Sequence, residues 1–316
     1  MLSDRVECYA NNWLEKKGVI YASINENSPK GKKYLEAIKE EALEKLGYFL
    51  TPSTLFSKIA TKGNTKDGDA TFILDDLRAA FWAMEQSTLG RESEDAFEHL
   101  FEDLDFSSTE LGNTHELCNA IISKVMAQLN SIDFRIENND YNELGDVFED
   151  LMGHIVKSDD QNSCGFYTPT QVSKVLAKIV TTGKDSLSNI YDPTCGSGSL
   201  LLRVAEKVRG VFGFYGQEIN RATYNIARMN MILHDVSYRF FDIKQDDTLE
   251  RPQHDGQLFE AIVAKELNAE YGQTDNKALK RRMDQKILQI AGKISEAPLT
   301  YKDKMKFAEN FKLFSS

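Results

Sequence analysis

Apolar residues recur at helical spacing through the first part of the chain, and at strand spacing only later. Lys30 to Leu46 is rich in Glu, Lys, Ala and Leu and stops at Gly47, which predicts a helix with a glycine end. Thr51-Pro52-Ser53 predicts the start of the next helix. From Phe72 to Met84 the residues Ile73, Leu74, Leu77, Phe81 and Met84 fall on one helical face. Asn113-Thr114-His115-Glu116 has the shape of a capping box, and Leu117, Ile121, Ile122, Val125 and Leu129 run behind it. No strand-period segment stands out before about Asp133.

Asn138 to Asn142 reads as a linker, Gly145 to Val156 as one more helix, and Lys157 to Ser163 as a mobile loop. After Phe166 the texture changes. Thr170 to Thr181 predicts an amphipathic helix, and Ser188 to Tyr191 a short strand ending in Asp192-Pro193. Helices follow over Leu200 to Val208 and Arg221 to His234, with strands over Val211 to Tyr215, Tyr238 to Ile243 and Phe259 to Ala264. Alternation of this kind predicts βαβ units and a parallel sheet. The expected organisation is a helical N-terminal domain (1–140), an α/β domain (141–264) and a Lys-rich helical tail (265–316), whose Leu279, Met283, Ile287, Ile290 and Ile294 repeat at three and four.

The 316 residues, 41% of them hydrophobic, suit about two globular domains. No apolar run is long enough to span a membrane, and Met1 to Arg5 lacks the pattern of a secretion signal. Cys8, Cys118, Cys164 and Cys195 form no C-x-x-C pair and no ligand spacing, which reads as reduced thiols of a cytoplasmic protein with no metal site. A net charge of −11 argues against a chain that grips DNA by itself, because duplex binding draws on Lys and Arg neutralising phosphates.

The candidate chemistry lies in Asp192-Pro193-Thr194-Cys195-Gly196-Ser197-Gly198-Ser199, between a strand and a helix. Gly196 and Gly198 let the backbone turn tightly and approach a ligand, and the helix behind offers free N–H groups. This is neither the dinucleotide fingerprint, since Leu201 stands where a third glycine belongs, nor a P-loop. A ligand with a small carboxylate and an amine fits better: Asp192 can accept from the ammonium and the loop amides can hold the carboxylate. Glu218 follows the second strand, where an acid reads a ribose hydroxyl pair in α/β nucleoside sites. The plain alternative is a strand–loop–helix turn with a capping aspartate. Asp247, in Asp246-Asp247-Thr248-Leu249 after the third strand, is either an acceptor for an adenine amine or part of a capped surface turn. Gly165-Phe166-Tyr167-Thr168-Pro169 with Thr170 either frames a ligand or staples a helix entry.

In this order, Phe-Tyr-Thr-Pro, Asp-Pro-Thr-Cys-Gly-Ser-Gly-Ser, Gly216-Gln217-Glu218 and Asp-Asp-Thr-Leu, the motifs resemble the modification subunit of type I restriction-modification systems. Ser93 to Phe97, Asp105 to Thr109 and Ile122 to Met126 are similar to that family's helical N-terminal domain. Ala227 to Met231 with Leu233-His234-Asp235 is similar to the helix after its second strand. The resemblance implies a Rossmann-like methyltransferase domain and S-adenosylmethionine as cofactor. It implies that Gly165 to Thr170, Asp192, Gly196, Ser197 and Gly198 hold the cofactor, with Glu218 on the ribose and Asp247 on the adenine. It further implies N6 methylation of a flipped adenine in duplex DNA, and partners: a specificity subunit that reads the sequence and a restriction subunit that joins. Delegated DNA recognition fits the acidic charge.

One departure is large. The family's catalytic motif, Asn-Pro-Pro followed by Phe or Tyr, belongs at the end of the fourth strand. Here that strand ends Val263-Ala264-Lys265-Glu266-Leu267. The six prolines (Pro29, Pro52, Pro169, Pro193, Pro252, Pro298) include no adjacent pair, and none follows an Asn. The chain is therefore expected to have no catalytic residues of its own and to be the product of a truncated or frame-disrupted gene, with an unrelated tail after Ala264 and a short front. The tail either covers the sheet edge left by missing strands or stands as a loosely docked helix. The alternative function is a non-catalytic remnant that binds S-adenosylmethionine or the specificity subunit. A small-molecule or protein methyltransferase is disfavoured by the family-like N-terminal helices and the Asp247 motif.

Overall fold

A computed structural model describes residues 1–63, 73–106, 108, 111–132, 147–148, 150–151 and 170–264. The linker (138–142), the loop (157–163), most of the helix expected over 145–156, and the tail from 265 lie outside the described residues. Contacts divide the chain into two units, Met1–Gly145 with Ser237–Arg239, and Asp146–Val236 with Phe240–Ser316.

The described part of the first unit is helical: α1 (Leu2–Leu14), α2 (Pro29–Lys45), α3 (Phe56–Gly63), α4 (Ile73–Thr88), α5 (Glu94–Phe97) and α6 (His115–Asn130). α2 starts with Pro29 behind the cap Ser28, whose hydroxyl accepts from Gly31 N–H, and is closed by Gly47 at φ +87°, whose N–H donates to Leu43 O. The turn expected to open the next helix is instead a single 3₁₀ turn, Pro52–Thr54, because Leu55 is extended (φ −68°, ψ 141°) and α3 begins only after it. α3 packs against α4 and α6 around Ile59, Ala60, Ile73, Ala80 and Met126. Tyr21, fully buried, donates its hydroxyl to Leu50 O at 2.6 Å, and burial raises its pKa. Tyr21→Phe strands that carbonyl and is expected to cost about 1–2 kcal/mol in urea denaturation.

Most of the apolar stripe on α6 faces outward, and of its five residues Ile122 packs against the core. Leu117, Ile121, Val125 and Leu129 are exposed, whereas Cys118, Asn119, Ser123 and Met126 are buried. The reason is polar. Leu74 N–H, near the start of the described part of α4, donates to Asn119 Oδ1 at 3.2 Å, a bond that places the Asn119 face inward. The cap also lies one residue later than the sequence suggests: Thr114 Oγ1 accepts from Leu117 N–H, so Glu116 is not the third helical residue a capping box needs.

The second unit holds a parallel sheet in the order β3-β2-β1-β4: β1 (Ile190–Asp192), β2 (Phe214–Glu218), β3 (Phe241–Gln245) and β4 (Ala261–Ile262). Around them run α7 (Thr170–Val180), α8 (Ser199–Ala205) and α9 (Arg221–Leu233). β1–α8–β2 and β2–α9–β3 are the expected βαβ units, and the α/β Rossmann-like class holds. Leu200, Leu201, Leu202 and Val204 of α8 and Ala227, Met231 and Ile232 of α9 are buried. β2 and β3 each lie about three residues beyond their expected starts. Val211 makes only an isolated bridge to Leu187 and Phe212 is exposed, so pairing with β1 starts at Phe214. Tyr238 belongs to the first unit, where its hydroxyl donates to Glu44 O. Phe259 is not in the ladder either: it stacks on Tyr191 with centroids 4.6 Å apart.

Because β1 is flanked by β2 on one side and β4 on the other, the strand order reverses there. The crevice beyond the carboxyl ends of the strands at such a point is where open α/β sheets bind ligands.

Candidate functional site

Three strand ends meet at that crevice. Asp192 closes β1, Glu218 closes β2, and Asp246-Asp247 follow β3. The glycine loop leaves β1 under tight control. Asp192, 2% exposed, accepts from Thr194 N–H at 3.0 Å, and Cys195 N–H donates to Gln217 O at 2.9 Å. Gly196 (φ +55°) and Gly198 (φ +76°) then take left-handed backbone that glycine tolerates, and Gly198 N–H closes the turn onto Cys195 O. Gly216 is needed for the same approach, since a Cβ there would stand 2.8 Å from Ile243 Cδ1 and 2.9 Å from Cys195 Sγ. Gly216→Ala is expected to lower stability by about 1–3 kcal/mol, measured by urea denaturation.

Glu218 points into the loop. Its Oε2 accepts from Gly196 N–H at 3.1 Å and its Oε1 from Asn220 N–H at 2.8 Å, and the residue is 4% exposed. Burial pushes its pKa up, against the amides of Asn220, Gly196 and Ile219, which favour the charged form. A carboxylate has about four acceptor positions. Capacity therefore remains at Glu218 for hydroxyl donors placed over the loop.

Neighbouring side chains fix the frame. Asn220 caps α9 by accepting from Thr223 N–H. Asn230, fully buried on α9, donates to Ser197 O at 3.0 Å and ties the loop down. Ser197, itself buried, places its Oγ 2.8 Å from Ser199 Oγ. Thr248 donates its hydroxyl to Pro193 O, and Asp246 N–H donates to Glu218 O at 3.1 Å, so all three strand ends are linked. His254, 4% exposed, sits between Tyr191 and Tyr215 with Nε2 3.1 Å from Gly216 O, and burial lowers its pKa.

Asp192, Gly196, Ser197, Gly198 and Glu218 are thus brought together. Asp247 is half-buried, and its Oδ1 caps its own turn, accepting from Leu249 N–H at 2.8 Å, while Oδ2 makes no hydrogen bond among the described residues. Thr170 is the first residue of α7, and Gly165 to Pro169 lie outside the described residues. The roles of Gln217, Asn220, Asn230 and His254 were not read from the sequence. Gln217 and Asn230 stood inside quoted motifs, but nothing local says what their side chains reach. Among the described residues no cluster of His, Cys, Asp and Glu could hold a metal, and no helix is long and apolar enough to cross a membrane.

The model of the N-6 DNA Methylase family matches residues 139–301, just over half of the chain, and runs past Ala264 into the Lys-rich stretch. The type I restriction enzyme MpnII methylase subunit of Mycoplasma pneumoniae is 35% identical over 225 residues, 68% of this chain and 41% of that protein. The MjaVII methylase subunit of Methanocaldococcus jannaschii is 28% identical over 137 residues, 42% of this chain and 23% of that protein. The crystal structure of a type I restriction-modification system methyltransferase subunit from Streptococcus thermophilus superposes with a TM-score of 0.72 at 28% identity, covering 99% of this chain and 64% of that one. The chain thus spans about two fifths of the length of the Mycoplasma relative. S-adenosylmethionine is the cofactor that goes with this fold and family. The cradle fits it: a buried acid with spare acceptor positions faces a glycine turn at a strand-order reversal. On the matched family model and these relatives, the chain belongs to the N-6 DNA methylase family, among methylase subunits of type I restriction enzymes.

Proposed function

We propose that this chain is the S-adenosylmethionine-binding half of an adenine-specific DNA methyltransferase subunit, and that it does not itself transfer the methyl group. The observation that supports the first part is the Glu218 carboxylate seated on the Gly196 amide. In this reading Glu218 accepts from the ribose hydroxyl pair, and Asp247 accepts from the adenine amine through Oδ2. The amide of Ser197, which makes no hydrogen bond among the described residues, holds the methionyl carboxylate within the turn that Gly196 and Gly198 shape, Asp192 accepts from its ammonium, and Gly165 to Thr170 frame the entrance. When bound, the cofactor supplies a sulfonium methyl group that is open to direct displacement.

The second part rests on the missing Asn-Pro-Pro-aromatic motif. The adenine N6 lone pair is delocalised into the ring, so the amine needs two acceptors on its N–H bonds and an aromatic face against the flipped base. Lys265-Glu266-Leu267 offers neither. Duplex DNA would be reached through a complex in which two modification subunits meet one specificity subunit and a restriction subunit joins. The net charge of −11 is consistent with that delegation. The missing motif also favours a second reading, a remnant that holds cofactor or specificity subunit without any methylation.

Incubating the full chain with specificity subunit, methyl-labelled cofactor and target DNA is expected to leave adenine unlabelled. Stoichiometric label on adenine would contradict the proposal. A companion titration with S-adenosylhomocysteine is expected to show one site per chain, and no binding would end the cofactor reading.

A further inference from the structure

The Asp247 loop is held from below by a residue of β2. Gln217 is fully buried. Its Nε2 donates to Arg251 O at 3.0 Å, and its Oε1 accepts from Gln253 N–H at 3.0 Å. The side-chain amide thus pairs with backbone on both sides of Pro252, as a neighbouring strand would. The backbone around Gln217 serves the other two loops: its own carbonyl accepts from Cys195 N–H, and the next carbonyl, of Glu218, accepts from Asp246 N–H.

The loop closes on itself as well. Arg251 N–H donates to Asp247 O at 2.7 Å, Gln253 Nε2 to Asp246 Oδ2 at 3.0 Å, and the Arg251 guanidinium stands 2.8 Å from Asp246 Oδ1. The Arg251 side chain is 72% exposed, so that ion pair contributes little. The Gln217 clamp is buried, and breaking it strands the Gln253 N–H and leaves Arg251 O only the longer bond from Gln253 Nε2 at 3.4 Å. Together with the Asp246 N–H to Glu218 O bond, it fixes residues 246–253 against the end of β2.

We propose that Gln217 is a positioning residue for base selectivity: it sets the distance between Asp247 and Glu218, so that a nucleoside held on Glu218 presents its exocyclic amine to Asp247. The proposal rests on the reading of Asp247 as the adenine acceptor. S-adenosylhomocysteine and S-inosylhomocysteine separate the two claims, because the second carries a carbonyl where adenine has its amine. By calorimetry on the full chain, wild type is expected to prefer the adenine compound at least about tenfold. Gln217→Met, of similar length and unable to clamp, is expected to bring that preference below about threefold, with smaller change in affinity for the inosine compound. Gln217→Glu keeps the acceptor for Gln253 N–H and loses the donor to Arg251 O, and an intermediate preference is expected. An unchanged preference in Gln217→Met, or equal weakening of both compounds, would overturn the proposal.

Hydrogen exchange on the unliganded chain tests the clamp alone. Amides of Leu249, Glu250, Arg251 and Gln253 are expected to exchange at least about tenfold faster in Gln217→Met, with Gly196 and Asn220 unchanged. Unchanged protection of those four amides would overturn the clamp. A wild type that binds neither compound would end the cofactor reading, and the selectivity role with it, while the exchange result still decides the clamp.

Discussion

Replacing Glu218 with alanine is expected to weaken S-adenosylhomocysteine binding about 100-fold. The residue sits where β2 ends and accepts from Gly196 N–H, so anything bound over the glycine loop meets its carboxylate. Two hydroxyl-to-carboxylate bonds are at stake, each worth about 1.5–3 kcal/mol when made to a charged group, and water regains part of that in the variant. A factor of 100 is about 2.7 kcal/mol. The same carboxylate sets a pH dependence. Burial raises its folded pKa, so the folded chain favours the protonated form. The stabilisation from that preference is present below the ordinary carboxylate range and is lost as pH rises through the raised pKa. Ligand binding runs the other way, because a carboxylate accepts from two hydroxyls and a carboxylic acid does so poorly. Affinity is therefore expected to fall as the solution is acidified, beginning above the ordinary glutamate value of about 4.3. Glu218→Gln is expected to bind weakly throughout and to lack that acid limb. Calorimetry across pH checks both statements, and an identical acid limb in Glu218→Gln would assign it to another group.

Gly198→Val is expected to lower stability by about 2–4 kcal/mol and to remove measurable ligand binding. Gly198 caps α8 at φ +76°, ψ 0°, a conformation that costs an L residue about 1–2 kcal/mol and is worse for a β-branched one. A Cβ would also stand 2.8 Å from Met231 Cε. The end of a methionine can move aside, but the backbone strain cannot relax without turning the loop. Asn tolerates this region, so Gly198→Asn separates the two contributions. It is expected to keep more of the stability than Gly198→Val in urea denaturation. Equal losses in both variants would place the cost at Met231.

The strand ends were legible because their signals are local. Two glycines behind Asp192, and an acid after the next strand, mark a tight turn facing a carboxylate wherever a βαβ unit forms. The limits of β2 and β3 were not, because Val211 and Tyr238 look like strand residues and their partners are set by tertiary contacts. The sequence did not show which face of α6 is buried. Periodicity found an apolar face, but the bond from Leu74 N–H to Asn119 Oδ1 goes with the neighbouring face turned inward. Asp247 stayed ambiguous in the sequence and has both features in the structure, with one oxygen capping its turn and the other without a hydrogen bond among the described residues. Gln217 could not be assigned a role, since the backbone it clamps lies 34 and 36 residues further along.

The most direct measurement is a crystal structure of the full chain with S-adenosylhomocysteine. The expected result places both ribose hydroxyls within about 3 Å of the Glu218 carboxylate oxygens, and the amino-acid carboxylate on the Ser197 amide of the glycine loop. Ligand bound away from β1 and β2, with Glu218 still seated on Gly196 and Asn220 alone, would contradict the account.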